Sequence, residues 1–561
     1  MAISAEGTGS DKLSWGRRAM LCIIVLNISG ILVLLTAQLA GPGLHWLQDW
    51  TDAHNPYAFI KVRVRYGATS SASLMQQPEV WAGGVRHGST SGNLTAILTA
   101  EEQEELIALC GRCLYNSLTK AIKVKGSGDM VFVATGDIDD MWIRDSAVQL
   151  SIYFPRITGR PALRRVIEGA IRAQAFYILQ DPYANAYTHT WRERDAWSPS
   201  HRRIGRGGWV ATRNYELDSG AYFINMLWNY YTTPGLFAAE RFLNETMIVD
   251  AVALMVRTWQ TEQRHEQHSA YRYSELPRDG KGPKSNYTGM SWSGYRPSDD
   301  PQVYGYNVPV NMYAAGALER AVELNQRVWR SAGLGARAAQ LANDIRHGIE
   351  TWGVVTMDDG RKVYAYEVDG MGNSLLNFDD PNVPSLLSIP LLGYVHYDPE
   401  IYAATRARIL SPANAWYFEG SALRGLGSPH TPHSHVWPLA MSVQGLTTED
   451  AEEQAMLLRQ LLATQCGTGL MHESVHVSSP EVCTRPWFEW ANAMAVVFIE
   501  NALGSACDDA AEEQRRAAIT ERENLQGGAE EALFYETLEA GIQHITRRRK
   551  HARHLHEMMQ F

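Results

Sequence analysis

From residue 99 onward, apolar residues recur at helical spacing in stretch after stretch, and no other property of the chain narrows its fold so far. A period near 3.6 leaves each segment one apolar stripe, which has to be buried against another helix. Thr99 and Glu102 make a capping-box pattern, after which Leu106, Leu109, Cys110, Cys113 and Leu114 fall at helical intervals. The C-x-x-C formed by Cys110 and Cys113 therefore reads as a buried helix face, not a metal or redox site. Further helical stretches are predicted near 139–154, 162–180, 216–232, 244–263, 306–330, 335–352, 384–394, 399–409, 433–444, 448–464 and 486–503, twelve with the first. MDDGRKVYAYEV (357–368) alternates around an Asp-Gly turn and predicts one β-hairpin. The expected fold class is all-α, an (α/α)6 toroid of six inner and six outer helices with a small β-hairpin insertion. The helix count by itself also fits a bundle or a solenoid, although no repeated period favours a solenoid.

Residues 135–150, TGDIDDMWIRDSAVQL, concentrate chemistry where a strand gives way to a helix. Asp137, Asp139, Asp140 and Asp145 can accept hydrogen bonds from vicinal hydroxyls, Arg144 can donate a planar fork, and Trp142 offers a flat apolar face to a sugar ring. An ordinary Asp-rich helix start accounts for one or two of these acids, but not for an Arg–Asp pair beside a Trp. The same mixture returns in NYELDS (214–219), RPSDD (296–300), YGYNVPVNMY (304–313), NFDDPNVPSLLS (377–388), GSPHTPHSHVWP (427–438), GTGLMHES (467–474) and TRPWFEWAN (484–492). A site assembled from separate loops leaves this kind of trace.

Together these strings resemble glycoside hydrolase family 125, the exo-acting α-mannosidases, and in particular their fungal membrane-anchored branch, from about residue 99 to about residue 503. The resemblance implies the (α/α)6 fold, a general acid in RPSDD at Asp300 or Asp299, and a general base in MHES at Glu473. Adjacent carboxyls also suit an acid physically, because two like charges held close resist ionising together. Asp218 is the rival acid and is read as sugar-binding; Glu489 is the rival base and is read as part of a helix wall. Family members invert anomeric configuration, which implies no covalent sugar–enzyme intermediate, no metal or other cofactor, and catalytic carboxyls roughly 6.5–9.5 Å apart. The terminal sugar is expected to be held by Asp137, Trp142, Arg144 and Asp145, with Asp218, Asn307, Asn311, Asp379 and His430 as neighbours. The implied partner is a mannose-containing oligosaccharide or glycoprotein glycan, with α-1,6 linkage favoured. No twelve-residue EF-hand pattern or zinc-like His spacing appears.

The rest of the chain bears on compartment. Residues 19–40 form a 22-residue apolar run preceded by Lys12, Arg17 and Arg18, with the next basic residue at Lys61. That pattern predicts a signal anchor with a cytosolic tail (1–18) and a lumenal body, a single-pass type II membrane protein of the Golgi or endoplasmic reticulum, or a secreted product if the run is cleaved. Residues 41–92 read as a stem, 93–507 as the catalytic domain, and 508–561 as a charged helical tail. Sequons at Asn93, Asn244 and Asn286 are compatible with a lumenal body. Cys22 lies in the anchor; the five remaining cysteines leave at least one thiol unpaired within the chain, and Cys466 with Cys483 would brace the loop carrying Glu473. A formal charge of −10 argues against nucleic acid. Two other function classes fit parts of the sequence: a type II glycosyltransferase using Asp137-Ile-Asp139 as a D-x-D, and a catalytically silent glycan-binding protein. Strand-poor patterning opposes the first, and intact acids in both motifs oppose the second.

Overall fold

Two kinds of helix alternate along the chain. In the computed structural model, residues 94–524 are described apart from 95, 126–128, 193–207, 237–238 and 505–506. The expected anchor (19–40) and stem (41–92) lie outside the described residues, among which no helix is long and apolar enough to cross a membrane. The longer helices are α1 (Ala100–Asn116), α2 (Ile143–Ser151), α3 (Pro161–Gln180), α4 (Leu217–Thr232), α5 (Thr246–Glu262), α6 (Val308–Leu324), α7 (Ala332–Gly348), α8 (Pro399–Ile409), α9 (Pro438–Leu446), α10 (Ala451–Ala463), α11 (Glu489–Leu503) and α12 (Asp508–Asn524).

All nine residues of α2 are buried, and α4, α6, α9 and α11 are buried on nearly every face. By contrast α1, α3, α5, α7 and α10 bury a stripe and expose the rest. The buried helices pack on one another in the order α9, α11, α2, α4, α6, and the striped ones pack outside them, α1 on α11, α3 and α5 on α4, α7 on α6 and α10 on α9. This division follows from the amphipathic pattern, since a helix apolar all round is stable only when surrounded.

The capping box forms as read: Thr99 N–H donates to Glu102 Oε2 at 2.8 Å and Glu102 N–H to Thr99 Oγ1 at 3.1 Å. One predicted helix does not form. Over 384–394 only the 3₁₀ turn Ile389–Leu391 is helical. Pro390 lacks a donor, Ser385 and Ser388 take each other's backbone N–H groups, and Asp379 takes those of Leu386 and Leu387 at 2.7 and 2.9 Å. The Asp-Gly hairpin exists but begins before the stretch read for it and ends earlier, Val354–Thr356 pairing antiparallel with Lys362–Tyr364, while Glu367–Val368 pairs instead with Tyr306–Asn307 and Ser374–Leu375. Among the described residues, five further two- or three-stranded sheets correct the expectation of a single hairpin. Their strands are two to seven residues long, too short to show alternation in the sequence.

Cys110 of α1 is bonded to Cys507, just ahead of α12, and Cys466 to Cys483. Cys113 remains as a buried free thiol. The charged segment after Cys507 packs its first helix, α12, directly on α1. Gly111 permits that approach, because a Cβ there would meet the Cβ of Ala510 at 2.6 Å.

Candidate active site

The loops that run into the N-termini of α2, α4, α6, α9 and α11 carry nearly all of the chemistry, so carboxylates gather where helix dipoles are positive. The arrangement has two layers: a partly exposed rim and a buried charged floor.

On the rim, RPSDD forms a tight turn in which Asp299 N–H donates to Arg296 O at 3.0 Å and Arg296 N–H to Asp300 O at 2.8 Å, with Asp299 in the left-handed region at φ 67°. Asp tolerates that conformation better than most residues. Two buried acids fix the turn from behind. Glu367 accepts from Arg296 Nε at 2.6 Å and from the backbone of Val303 and Tyr304, and Asp380 accepts from Ser298 Oγ at 2.6 Å. Asp300 Oδ1 lies 3.1 Å from His430 Nδ1. That contact, reinforced by the charges of Asp300, Glu473 and Asp299, raises the His430 imidazole to about 9 against the opposing effect of burial. His430 is thus an imidazolium at neutral pH, in contact with Asp300 and within electrostatic reach of Asp299 and Glu473. Glu473 accepts from Thr484 Oγ1 at 3.3 Å and from Arg485 Nη1 at 3.4 Å, and Arg485 also holds Asp137 through Nε at 2.8 Å. His472 turns away, toward the Arg485 carbonyl at 2.6 Å. Cys466–Cys483 closes the loop from which Glu473 projects.

Beneath Trp142 and Asp299 lies the floor. Arg144, only 3% exposed, faces four carboxyls: Glu216 at Nη1, Asp299 at 3.5 Å, Asp145 at 3.5 Å and Asp218 at 3.8 Å. The Trp490 ring lies 5.2 Å from its guanidinium carbon. Asp299 also accepts from Trp142 Nε1 at 3.3 Å and from Asn185 Nδ2 at 2.5 Å, and the same Asn185 amide reaches Glu216 Oε1 at 3.0 Å. One guanidinium cannot neutralise four carboxylates, three of them buried. Burial pushes Asp145 up to about 6 and Asp218 up to about 7, in each case against the pull of Arg144. Glu216 is driven well above the usual carboxylate range by burial and by repulsion from Asp299 and Asp218.

Of the expected sugar-binding residues, Trp142, Asp137 and His430 stand on the rim, whereas Arg144, Asp145 and Asp218 belong to the floor. Arg144 is thus enclosed among carboxyls, Asp299 included. Three expected neighbours are engaged elsewhere. Asn307 caps α6 by accepting from Val310 N–H at 3.0 Å, Asn311 bridges the backbone of Ser291 and Asn307, and both oxygens of Asp379 serve the turn at 386–387. Glu489 lies in the wall, as read, bonded to Asn116, Ser117 and Asn492, with burial raising it to about 7. Asp137 and Asp139 pair with different cations, Arg485 and Lys123, so the D-x-D does not converge on one point. Two floor residues were not singled out in the sequence: Glu216, two positions before Asp218 in a string that was noted, and Asn185, which lies in none of the motif strings.

Among the described residues, two clusters have metal-ligand spacing, Cys466/His472/Cys483 and Cys110/Glu500/Cys507, and each contains a disulfide-bonded pair. The reactive equipment is accordingly that of carboxylates around a sugar-sized aromatic face, as in enzymes that hydrolyse glycosidic bonds. The family model described as "Metal-independent alpha-mannosidase (GH125)" matches residues 103–499, and the chain belongs to that family of glycoside hydrolases. It is 34% identical over 490 residues to the Meiotically up-regulated gene 157 protein of Schizosaccharomyces pombe, covering 81% of this chain and 93% of that one. It is also similar to a solved metal-independent alpha mannosidase of Streptococcus pneumoniae in a non-productive complex with alpha-1,6-mannobiose. That match has 36% identity and a TM-score of 0.67, and covers 74% of this chain and 97% of the other.

Proposed function

We propose that this glycoside hydrolase is an exo-acting α-mannosidase, favouring α-1,6 linkages, that removes terminal mannose from an oligosaccharide or glycoprotein glycan with inversion. The observation that carries the reading is the contact of His430 with Asp300 of RPSDD, with Glu473 from a loop far away in sequence within electrostatic reach of the same imidazole. The mannobiose held by the pneumococcal relative supports the substrate class. In this mechanism a carboxyl of the Asp299/Asp300 pair protonates the departing glycosidic oxygen as its bond to the anomeric carbon breaks. Glu473 takes a proton from the water that adds to the opposite face. Trp142 stacks under the sugar ring, and Arg485 and Thr484 orient the base. The serial packing of five buried helices, backed by outer ones, supports an α/α toroid, and the 19–40 run with its flanking charges supports delivery of the body to the secretory lumen by a signal anchor.

The test is to incubate the protein with a panel of α-linked mannobioses and follow the first-formed product anomer by NMR. The β-anomer from α-1,6-mannobiose, with no cleavage of a mannan capped at its non-reducing end, is expected. Glu473→Gln should lower turnover by about 10²–10⁴-fold while the protein stays folded. First-formed α-anomer, internal cleavage of the capped mannan, or near-wild-type turnover in Glu473→Gln would each overturn this reading.

A further inference from the structure

Two adjacent carboxyls compete for the acid role, and their surroundings differ. Asp300 lies 3.1 Å from the imidazole of His430. Asp299 has a second carboxyl behind it. Glu216 and Asp299 share the Asn185 amide, at 3.0 and 2.5 Å, and share the Arg144 guanidinium, and Glu216 is 2% exposed whereas the Asp299 side chain is 26% exposed. Two carboxyls bridged by common donors at this range hold one proton between them, and only one of the two has access to a substrate.

We propose that Glu216 stores the proton that Asp299 delivers to the leaving oxygen, so that Asp299 is the general acid and Glu216 its positioning residue. This rests on the hydrolase reading above. The Glu216 O–H bond breaks as an Asp299 O–H bond forms; that proton then passes to the glycosidic oxygen as the bond to the anomeric carbon breaks. Water supplies the new C–O bond and gives its proton to Glu473. After product leaves, Glu473 releases that proton to solvent and the Glu216–Asp299 pair regains one.

The groups facing Glu216 favour storage. Among the described residues, Arg144 from α2 is the one cation in contact, with Asp145 on its far side; Asp218 and Ser219 come from the start of its own helix, Asn185 from the neighbouring strand, and Tyr295 and Asp299 from the loop before α6. Burial and the adjacent acids keep Glu216 protonated. Against burial, which pushes it up, the charge of Arg144 and the hydrogen bond from Glu216 hold Asp299 below its ordinary value. The proton thus rests on Glu216 and is donated to Asp299.

The experiment compares Glu216→Gln, Asp299→Asn and Asp300→Asn on α-1,6-mannobiose and on an aryl α-mannoside whose leaving group needs no proton. Glu216→Gln keeps the shape and loses the titration. It should lower kcat on mannobiose by about 10²-fold, change the aryl substrate only severalfold, and move the alkaline limb of the pH–rate profile downward. Asp299→Asn should show the same leaving-group selectivity. Ser219→Ala removes a hydroxyl that donates to Glu216 Oε2 at 3.1 Å and stabilises its ionised form. It should move the alkaline limb upward, and it reports even if the Gln variant does not fold. Equal losses on both substrates with an unmoved profile, or selectivity that follows Asp300→Asn alone, would overturn the assignment of Glu216. Failure of the wild type to cleave any α-mannoside would instead remove the hydrolase reading itself.

Discussion

Replacing Arg144 by Lys preserves the charge of the floor and removes its geometry. The guanidinium reaches Glu216 with Nη1, Asp299 with Nη2 at 3.5 Å and Asp145 with Nε at 3.5 Å. A single ammonium on a flexible stem can keep the Glu216 contact but not the other two. The Asp299 contact is a long hydrogen bond between charged groups, at the low end of about 1.5–3 kcal/mol, and the Asp145 contact is a buried ion pair without a hydrogen bond, counted at about the same. Losing two therefore costs about 3 kcal/mol, which in a chain of this size lowers Tm by roughly 3 °C. The loss should depend on pH. Asp145 and Asp218 have folded-state values raised to about 6 and about 7. Their stabilising protonation is complete below the ordinary Asp value and is lost as pH rises through 6–7, so it is above this range that the floor relies most on the fork. Charge-assisted bonds are about twice as strong as neutral ones, and of the two lost contacts only that to Asp145 becomes neutral at pH 5, Asp299 being held below its ordinary value, so the deficit at pH 5 should be about three quarters of that at pH 8. Calorimetric unfolding of both proteins at the two pH values measures it. A Tm within about 1 °C of wild type at both would refute the account of Arg144 as the organiser of a buried acid cluster.

The His430 imidazole, raised to about 9, contributes stability that is complete below its ordinary value near 6.5 and is lost as pH rises through 9. Urea unfolding between pH 6 and pH 9.5 should show the wild type losing about 1 kcal/mol more than His430→Gln, a figure already discounted for solvent screening; parallel curves would contradict it. Gly445 lies where α9 meets α11, and an added Cβ would land on the Phe498 ring, so Gly445→Ala should destabilise by about 1–3 kcal/mol in denaturant unfolding. Burial and the nearby Glu489 raise the Cys113 thiol well above its ordinary range, and it donates to Asn492 Oδ1 at 3.2 Å. It should react with a thiol reagent only on unfolding; rapid labelling of the native protein would show that the α1–α11 contact is open.

What the sequence made legible followed from periodicity and local chemistry. Eleven of the twelve predicted helices have a counterpart, and their ends follow capping residues such as Thr99, Asp398 and Asp450. The failure at 384–394 came from apolar residues in helix-like spacing whose backbone donors are claimed by Asp379, Ser385 and Ser388, a competition visible only in three dimensions. The motif strings located the rim, yet residue type alone did not separate open acids from closed ones. Asp379 and Asn311 look as polar as Asp299 and Glu473 in the sequence, but backbone amides and carbonyls occupy them completely. Glu216 was hidden for the opposite reason, since an acid beside a helix start ordinarily signifies a favourable dipole contact. Its meaning depends on Arg144, Asn185 and Asp299, which arrive from three other segments.

The bond between Cys110 and Cys507 joins residues 397 positions apart. In a chain made from one end to the other, this clasp cannot close until almost every described residue has emerged, so α1 must wait for the last buried helix before it is fastened. Once fastened, a ring of that length restricts the unfolded chain by about 6 kcal/mol on the loop-entropy estimate. A protease cut at the surface between those two positions would leave both pieces attached. The native body can then lose chain continuity in a loop without its two ends drifting apart, a tolerance that reducing conditions would abolish.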